Sequence, residues 1–483
     1  MALYLAVDLG TTGCRSLIFD ESLNVLGSSY EEYGLITPKE GYVEQSAELW
    51  WELTLKTAEK AIADSKACSC DIEGISISSQ GITVVPVDKD ANPLCLAINW
   101  LDKRAVEETK MIGEDFGDEE IYRHTGKMNT PAYTLPKMLW IKKNMPEVWE
   151  KAYKFLMPMD YLIAKLTGEM VTDYSMASGT LFYDIKNCCW SKKILEKYEI
   201  DENKLPIIKE SGQVVGRVKK EIIEKLGLSE SCIVAVGAQD QKCAAHGVGL
   251  DGETVTISLG TAAAITKLWN EHAPDKCSNI GWCGYTDRNK WVTEGVIGTA
   301  GTSLRWVRDL MFKDEKYNAV DKEAAEAIEK GSSVMFFPYL EGAGGPEYYK
   351  DSSGVFYGLS LASQRGDYAA AVMEGIAFRI RVILEAMDAY TNSKRIIIFG
   401  GGAKGSLWPQ IIADVTGLEI LTTSTAEAAS AGAAVLAAKG CGKNIGTLKC
   451  TGAYRPSEKQ LYYDNKFKKF VATERKMWAE DGI

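Results

Sequence analysis

Histidine is nearly missing from this chain: only His124, His246 and His272 occur among 483 residues, and they stand far apart. No Cys-x-x-Cys occurs, and of twelve cysteines only Cys68/Cys70 and Cys188/Cys189 are close neighbours. A zinc site needs clustered thiolates and imidazoles, so this spacing argues against one, and it argues equally against a disulfide framework. Cys14, Cys95, Cys232 and Cys243 sit in small or apolar contexts. They read as reduced core residues, which points to the cytoplasm. Excess positive charge is lacking too: 55 Lys+Arg against 66 Asp+Glu leave a net charge of −11. Such a surface repels polyanions, so neither nucleic acid nor an anionic membrane is an expected partner. No apolar run reaches the about 18 residues that suggest a membrane span. The first residues run straight into a strand-like segment without a basic leader. A Gly-x-x-x-x-Gly-Lys-Ser/Thr loop is also absent, which removes that class of phosphate binder.

What is present is a repeat. Near the start stands Leu5-Ala-Val-Asp-Leu-Gly-Thr-Thr-Gly13, and halfway along stands Thr254-Val-Thr-Ile-Ser-Leu-Gly-Thr-Ala262, each followed by a second β-rich run. Each reads as a hairpin with a glycine turn and a threonine at its tip. Backbone N–H groups and a hydroxyl at such a tip suit a nucleotide phosphate. A chain of 483 residues exceeds one growing core, and the repeat divides it into similar halves, 1–247 and 248–483. The glycines at 247, 249 and 252 mark the junction as a candidate hinge. Within the first half, strands are expected at 1–30, a third at 25–33, a helix capped by Ser46, a buried strand at 74–81, helix over 135–166 with breaks at Pro146 and Pro158, and a strand at 233–240 leading into a helix. The second half follows the same order: the hairpin at 254–268, helices near 302–312, 319–330 and 368–390, strands at 395–403 and 418–423, and an alanine-rich helix at 427–439. A packed C-terminal helix completes it. This alternation predicts mixed sheets with helices on their faces.

Four segments carry chemistry. Asp8, at the end of a buried strand beside the turn Gly10-Thr-Thr12, suits a hydrated magnesium ion bridging phosphates; a plain turn capped by Asp8 is the alternative. Gly400-Gly-Gly-Ala-Lys-Gly405 satisfies Gly-x-Gly-x-x-Gly, but Glu419 opens the next strand instead of ending it. A dinucleotide fingerprint needs the acid at that end. An adenosine-binding turn is the better reading, beside simple strand-to-helix packing. Asp240 follows an apolar strand and opens a helix, which places a carboxylate at the sheet edge where α/β proteins bind ligands. It is a candidate base for a sugar hydroxyl, the alternative being a helix cap. Trp100-Leu-Asp-Lys-Arg104 places an indole beside alternating charges, an arrangement suited to a polyol. A core tryptophan with surface charge around it fits equally well.

Taken together with Gly41-Tyr-Val-Glu-Gln45, Asp160-Tyr-Leu162, Gly301-Thr-Ser-Leu-Arg-Trp306, Phe337-Pro-Tyr-Leu340 and Phe399-Gly-Gly-Gly-Ala-Lys404, these segments resemble, over nearly the whole chain, the FGGY carbohydrate kinases. That group includes glycerol kinase, xylulokinase and gluconokinase. The resemblance implies an α/β fold of two similar ribonuclease-H-like (actin-like ATPase) domains, each a mixed five-stranded sheet flanked by helices, with a cleft between. It implies a sugar-binding first domain carrying the base and an ATP-binding second domain. By the same resemblance Asp240 is the catalytic base and Asp8 the carboxylate on the metal and phosphate side. Gly10, Thr11, Thr12, Gly260 and Thr261 contact phosphate, Gly301, Gly401, Gly402 and Ala403 form the nucleotide site, and Gln80, Trp100, Asp102 and Arg104 lie on the sugar side. ATP and magnesium are the implied cofactors, a small sugar or polyol the partner, and a homodimer the common assembly. Two segments depart from the pattern. Gln80-Gly-Ile-Thr83 replaces the Gln-Met-His-Gly of xylulokinases and the Gln-Arg-Glu of glycerol kinases. Gly342-Ala-Gly-Gly-Pro346 replaces Gly-Glu-Arg-Thr-Pro. Length and pattern lean to the xylulokinase-like branch and a five-carbon ketose, with glycerol, erythritol or gluconate as other acceptors. An actin-like nucleotide switch and a nicotinamide-dependent dehydrogenase are the readings from other classes.

Overall fold

The two hairpins of the sequence each open a sheet with the same wiring. The computed structural model describes residues 2–274, 279–313, 315–349, 351–423, 425 and 427–478. In the first half, β1 (Leu3–Leu9), β2 (Gly13–Phe19) and β3 (Val25–Glu32) form an antiparallel meander. β4 (Ile72–Ser79) then runs parallel to β1, and β5 (Val214–Arg217), β6 (Ile233–Ala235) and β7 (Ala238–Gln239) complete the sheet in the order β5-β6-β4-β1-β2-β3, with β7 also on β4. The second half has β8 (Thr254–Leu259), β9 (Ala263–Trp269), β10 (Gly281–Gly284), β11 (Trp291–Ile297), β12 (Arg395–Phe399), β13 (Glu419–Thr423) and β14 (Cys450–Tyr454) in the order β10-β11-β9-β8-β12-β13-β14. Again the hairpin is antiparallel, and β12 joins β8 in parallel. Each sheet therefore has seven strands, not the expected five. Five correspond between the halves. The additions, β5 and β7 in one sheet and β10 and β14 in the other, are only two to five residues long. That is too short for alternating polarity to mark them in the sequence.

Alternation along β1 decides what faces where. Leu3, Leu5, Val7 and Leu9 enter one core with Trp50, Ile75 and Ile77, while Tyr4 and Ala6 enter another. Side chains two apart share a face, so Asp8 falls on the side of Tyr4 and Ala6. In β8, Val255, Ile257 and Leu259 enter the core of the second half, which leaves Ser258 on the opposite face.

The helices that frame the sheets are α1 (Ala47–Ser65), α2 (Asp240–Gly247), α3 (Tyr317–Glu329), α4 (Arg365–Ala386), α5 (Ala428–Gly440) and α6 (Gln460–Trp478). Ser46 caps α1 by accepting the Leu49 N–H at 3.2 Å, an interaction worth about 1 kcal/mol. The 135–166 stretch divides into helices Thr134–Asn144, Pro146–Lys151 and Pro158–Thr167, with a strand, Lys154–Leu156, between the last two. Pro146 and Pro158 each stand at a first helical position, where a missing N–H costs nothing.

α5 belongs to the second half by sequence but packs on β1 and β4 of the first. Its alanines share a core with Tyr4, Ala6, Leu17 and Phe19 on one side and Ile397 and Phe399 on the other. α5 also crosses α2 at very close range: a Cβ added at Gly432 would lie 1.8 Å from the Cys243 carbonyl oxygen, and one at Gly247 2.6 Å from that of Ala428. Here Gly247 serves helix packing.

The cysteines need one correction. Cys68 and Cys70 are joined as a disulfide, closing a three-residue loop just before β4. Cys14, Cys232 and Cys243 are buried free thiols, while Cys95 is only partly buried. Cys277 lies outside the described residues. Among the described residues no helix is long and apolar enough to cross a membrane, and no group of three or more His, Cys, Asp or Glu side chains could hold a metal ion.

Candidate active site

The two tips are built alike and braced differently. At the first, Leu9 pairs with Cys14 and the Gly10 N–H closes the turn on the Gly13 carbonyl at 2.9 Å. The Thr11 hydroxyl accepts the indole N–H of Trp100 at 2.9 Å, and its carbonyl accepts the Gln45 amide at 2.6 Å. At the second tip, Leu259 pairs with Ala263 and the Gly260 N–H reaches the Ala262 carbonyl at 3.0 Å. Mainly backbone braces this one: the Gly260 carbonyl accepts from Gly301 N at 2.9 Å, and the Thr261 carbonyl accepts from Ala300 N at 3.0 Å, Thr302 N at 3.2 Å and the Thr302 hydroxyl at 3.2 Å.

Beside the second tip opens a cavity of about 610 Å³, lined by Gly260, Thr261, Gly301, Arg305, Gly401 and Gly402 among others. A Cβ at Gly401 would meet nothing within 4 Å, whereas one at Gly301 would lie 2.3 Å from the Gly260 carbonyl oxygen. Gly401 thus keeps the cavity open, and Gly301 lets two backbones touch. Ala403 is not part of the lining and packs against the core of the second half. Lys404 and Gly405 line the cavity instead, with Tyr317, Asn318 and Asp321 from the start of α3. Lys404 and Gly405 lie within the glycine motif, whereas the motif reading missed the three α3 residues. Arg305 was within its reach, because a residue four past Gly301 shares its helix face.

Two carboxylates meet where the halves approach each other. Asp240 is the first residue of α2 and accepts the Gln241 N–H at 2.7 Å and the Gln239 amide. The cap position belongs to Gln239, not to Asp240. Burial, and then the charge of Asp8, push Asp240 up to about 7. Asp8 accepts the Ser78 hydroxyl at 2.9 Å. Burial pushes it up to about 6, while the Ser78 hydrogen bond and Arg15 pull the other way. Arg15 in turn pairs with Glu427, just before α5 in the other half. A second ion pair links the halves under Asp240: Lys242 to Glu294 on β11, at 2.6 Å. Lys242 and Lys127 overcome burial and hold Glu294 below the usual carboxylate range.

The sugar-side candidates divide. Trp100 remains partly exposed, 38% of its surface free, beside Thr11. Gln80 is buried with Gln45 and Asn99 in a closed amide set, in which Gln45 Oε1 accepts from Gln80 at 2.9 Å and from Asn99 at 2.8 Å. Asp102 is fully buried. Its oxygens accept from Val43 N at 2.6 Å and from Arg104 Nε and Nη2 at 2.8–3.0 Å. Arg104 also reaches Glu44 at 2.7 Å and lies 4.0 Å from the Tyr42 ring centre. This cluster shapes the ground beneath Trp100. Next to it Ile82 takes φ +52°, a left-handed conformation that β-branched residues rarely adopt.

Magnesium prefers a few hard oxygen ligands and retains waters and phosphate oxygens for the rest. Asp8 fits that pattern: its carboxylate accepts one neutral hydrogen bond, from Ser78, and burial raises its pKa to about 6, so an added cation would favour its charged form.

Family models agree with this organisation. The N-terminal domain model of the FGGY family of carbohydrate kinases matches residues 3–247, and the C-terminal domain model matches residues 255–441. The chain belongs to the FGGY family of carbohydrate kinases. The xylulose kinase of Lactococcus lactis subsp. lactis is 33% identical over 92% of this chain and 88% of its own length. A glycerol kinase of Thermococcus gammatolerans is 31% identical over 90% and 88%. The ligand-bound xylulose kinase of Lactobacillus acidophilus matches with a TM-score of 0.91 at 26% identity, covering 100% of this chain and 99% of that one. As an FGGY kinase the chain is a sugar kinase, for which ATP is the implied phosphoryl donor, with two actin-like ATPase domains. The dehydrogenase and nucleotide-switch readings are set aside.

Proposed function

We propose that this FGGY kinase transfers the γ-phosphate of ATP to a primary hydroxyl of a five-carbon ketose of the xylulose type. Asp240 carries the reading: a carboxylate at the head of a helix, facing Asp8, with a pKa raised to about 7. That value suits a group that must take a proton near neutrality. The sugar hydroxyl gives its proton to Asp240, and its oxygen forms the new bond to the γ-phosphorus. The bond from that phosphorus to the β–γ bridging oxygen breaks, and ADP leaves. Gly10, Thr11 and Thr12 on one side and Gly260 and Thr261 on the other orient the phosphates. The cavity beside Gly401 and Gly402 takes the adenosine, and Trp100 offers its ring to the sugar. Asp8 would hold a magnesium ion, which neutralises phosphate charge when bound. Phosphoryl transfer depends mainly on positioning and charge stabilisation, so the tips matter as much as the base.

Glycerol is the second acceptor, favoured by the glycerol kinase relative. ADP release measured with D-xylulose, D-ribulose, glycerol, erythritol and D-gluconate tests the reading. Fastest turnover on a pentulose is expected. Release that no member of the panel stimulates overturns it.

A further inference from the structure

Thr11 is the only tip threonine with a recorded side-chain hydrogen bond, among the described residues, and its partner is the indole N–H of Trp100 at 2.9 Å. The direction of that bond has a chemical consequence. An indole nitrogen only donates, whereas a threonine hydroxyl has one proton and two acceptor lone pairs. The bond uses a lone pair of Thr11, so the hydroxyl proton points elsewhere, and no protein acceptor for it is recorded among the described residues. Thr11 is therefore set up to donate its proton to a ligand.

The indole is itself fixed from behind. The Trp100 backbone N–H donates to Thr83 Oγ1 at 3.1 Å, and Leu101 N donates to Asn99 Oδ1 at 2.9 Å. Asn99 belongs to the buried amide set with Gln45 and Gln80, and Gln45 also holds the Thr11 carbonyl at 2.6 Å. One side chain thus has its edge on the Thr11 tip and keeps 38% of its surface exposed.

We infer that Trp100 is a positioning residue that orients the Thr11 hydroxyl toward the transferring phosphate, so that a sugar settling on the ring steadies the phosphate tip. This inference rests on the kinase reading above. It assigns Trp100 a role on the ATP side in addition to the sugar side. A sugar-filled site then holds Thr11 in place, and an empty one leaves it looser.

The test compares Trp100→Phe, Thr11→Val, Thr11→Ser and the double variant Trp100→Phe/Thr11→Val. Replacing Trp100 by benzothienylalanine, in which sulfur stands for the N–H, keeps the ring size should Phe impair folding. Titration with MgAMP-PNP is the first readout. Loss of the indole N–H should raise Kd about three- to tenfold, the effect of losing one ordinary hydrogen bond. Thr11→Ser should stay near the parent, and the double variant should bind no worse than Thr11→Val alone. That non-additivity marks a shared pathway. Turnover with the best panel sugar is the second readout. For Trp100→Phe, kcat should fall about five- to tenfold while the KM for sugar moves less than about threefold. Additive Kd penalties, or a sugar KM that rises with kcat unchanged, overturn the inference. If no panel sugar is turned over, the kinase reading fails on its own, and the nucleotide titration still decides whether Trp100 acts through Thr11.

Discussion

The two hairpin tips share a turn but not a support. Backbone N–H groups from Ala300, Gly301 and Thr302 hold the Gly260–Thr261 tip. At the Gly10–Thr12 tip side chains do more of the holding: Trp100 and Gln45 reach Thr11 and the Tyr33 hydroxyl reaches the Gly10 carbonyl, beside one backbone bond from Tyr33 N–H to the Thr12 carbonyl at 3.0 Å. A backbone brace is fixed by the fold and indifferent to most substitutions. A side-chain brace depends on which residues occupy the neighbouring segment, here the one proposed to lie beneath the sugar. On the proposed reading the second tip is a fixture of the nucleotide pocket, and the first is the one expected to respond to acceptor-side changes. Damage near the first should lower kcat together with nucleotide affinity, and damage near the second should appear mainly in the KM for ATP.

The largest effect expected is at neither tip but at the base between them. Asp240→Asn should lower kcat at least ~100-fold, the usual worth of a positioned base, with ATP binding retained by calorimetry. Folding should not suffer. The folded pKa of Asp240, about 7, exceeds the ordinary 3.8. Between those values the folded state holds the extra proton, so this group's contribution to stability falls as pH rises and stays low above about 7. The asparagine variant should gain Tm over the parent from pH 5 to pH 8. Near-normal turnover would remove Asp240 from the mechanism.

The next pair of variants separates brace from cavity. Gly301→Val forces a Cβ within 2.3 Å of the Gly260 oxygen. It should lower Tm and weaken AMP-PNP binding at least about tenfold, one bond-sized displacement at the tip being costly. Gly401→Val meets open space, so it should keep its Tm while the KM for ATP rises and that for sugar moves little. Equal behaviour of the two would break the distinction. The pH profile tests the base directly: kcat/KM for the sugar should fall below pH about 7 as Asp240 takes up its proton, approaching tenfold per pH unit. A flat profile down to pH 5 would count against that assignment. The smallest is Arg15→Gln, which removes a partly exposed ion pair with Glu427. Such pairs are worth about 0–1 kcal/mol, so Tm should move only a few degrees.

Much of this was legible because hairpins and buried strands follow strict alternation. β1, β4, β8 and β12 begin within two residues of where the pattern sets them, and the Ser46 cap is where a polar residue before an apolar face belongs. Asp240 and Trp100 were legible from their place at strand ends. Three features were not. The short edge strands carry too few residues to alternate. The Asp102–Arg104 pair looks like exposed charge in one dimension, and only the fold shows Glu44, Tyr42 and Trp140 closing around it. The cavity wall from α3 comes from a helix whose nearest motif lies some distance along the chain. Its residues have no chemical signature until the fold brings them to the glycine turn.

The crossing of α5 over the first sheet has a consequence for synthesis. The outer face of β1 and β2, with Tyr4, Ala6, Leu17 and Phe19, is roofed by residues 428–440. On the ribosome the leading lobe emerges whole, yet one side of it stays bare until nearly the entire polypeptide has been made. Its last layer arrives with the other lobe, so neither half is a finished object without its sibling.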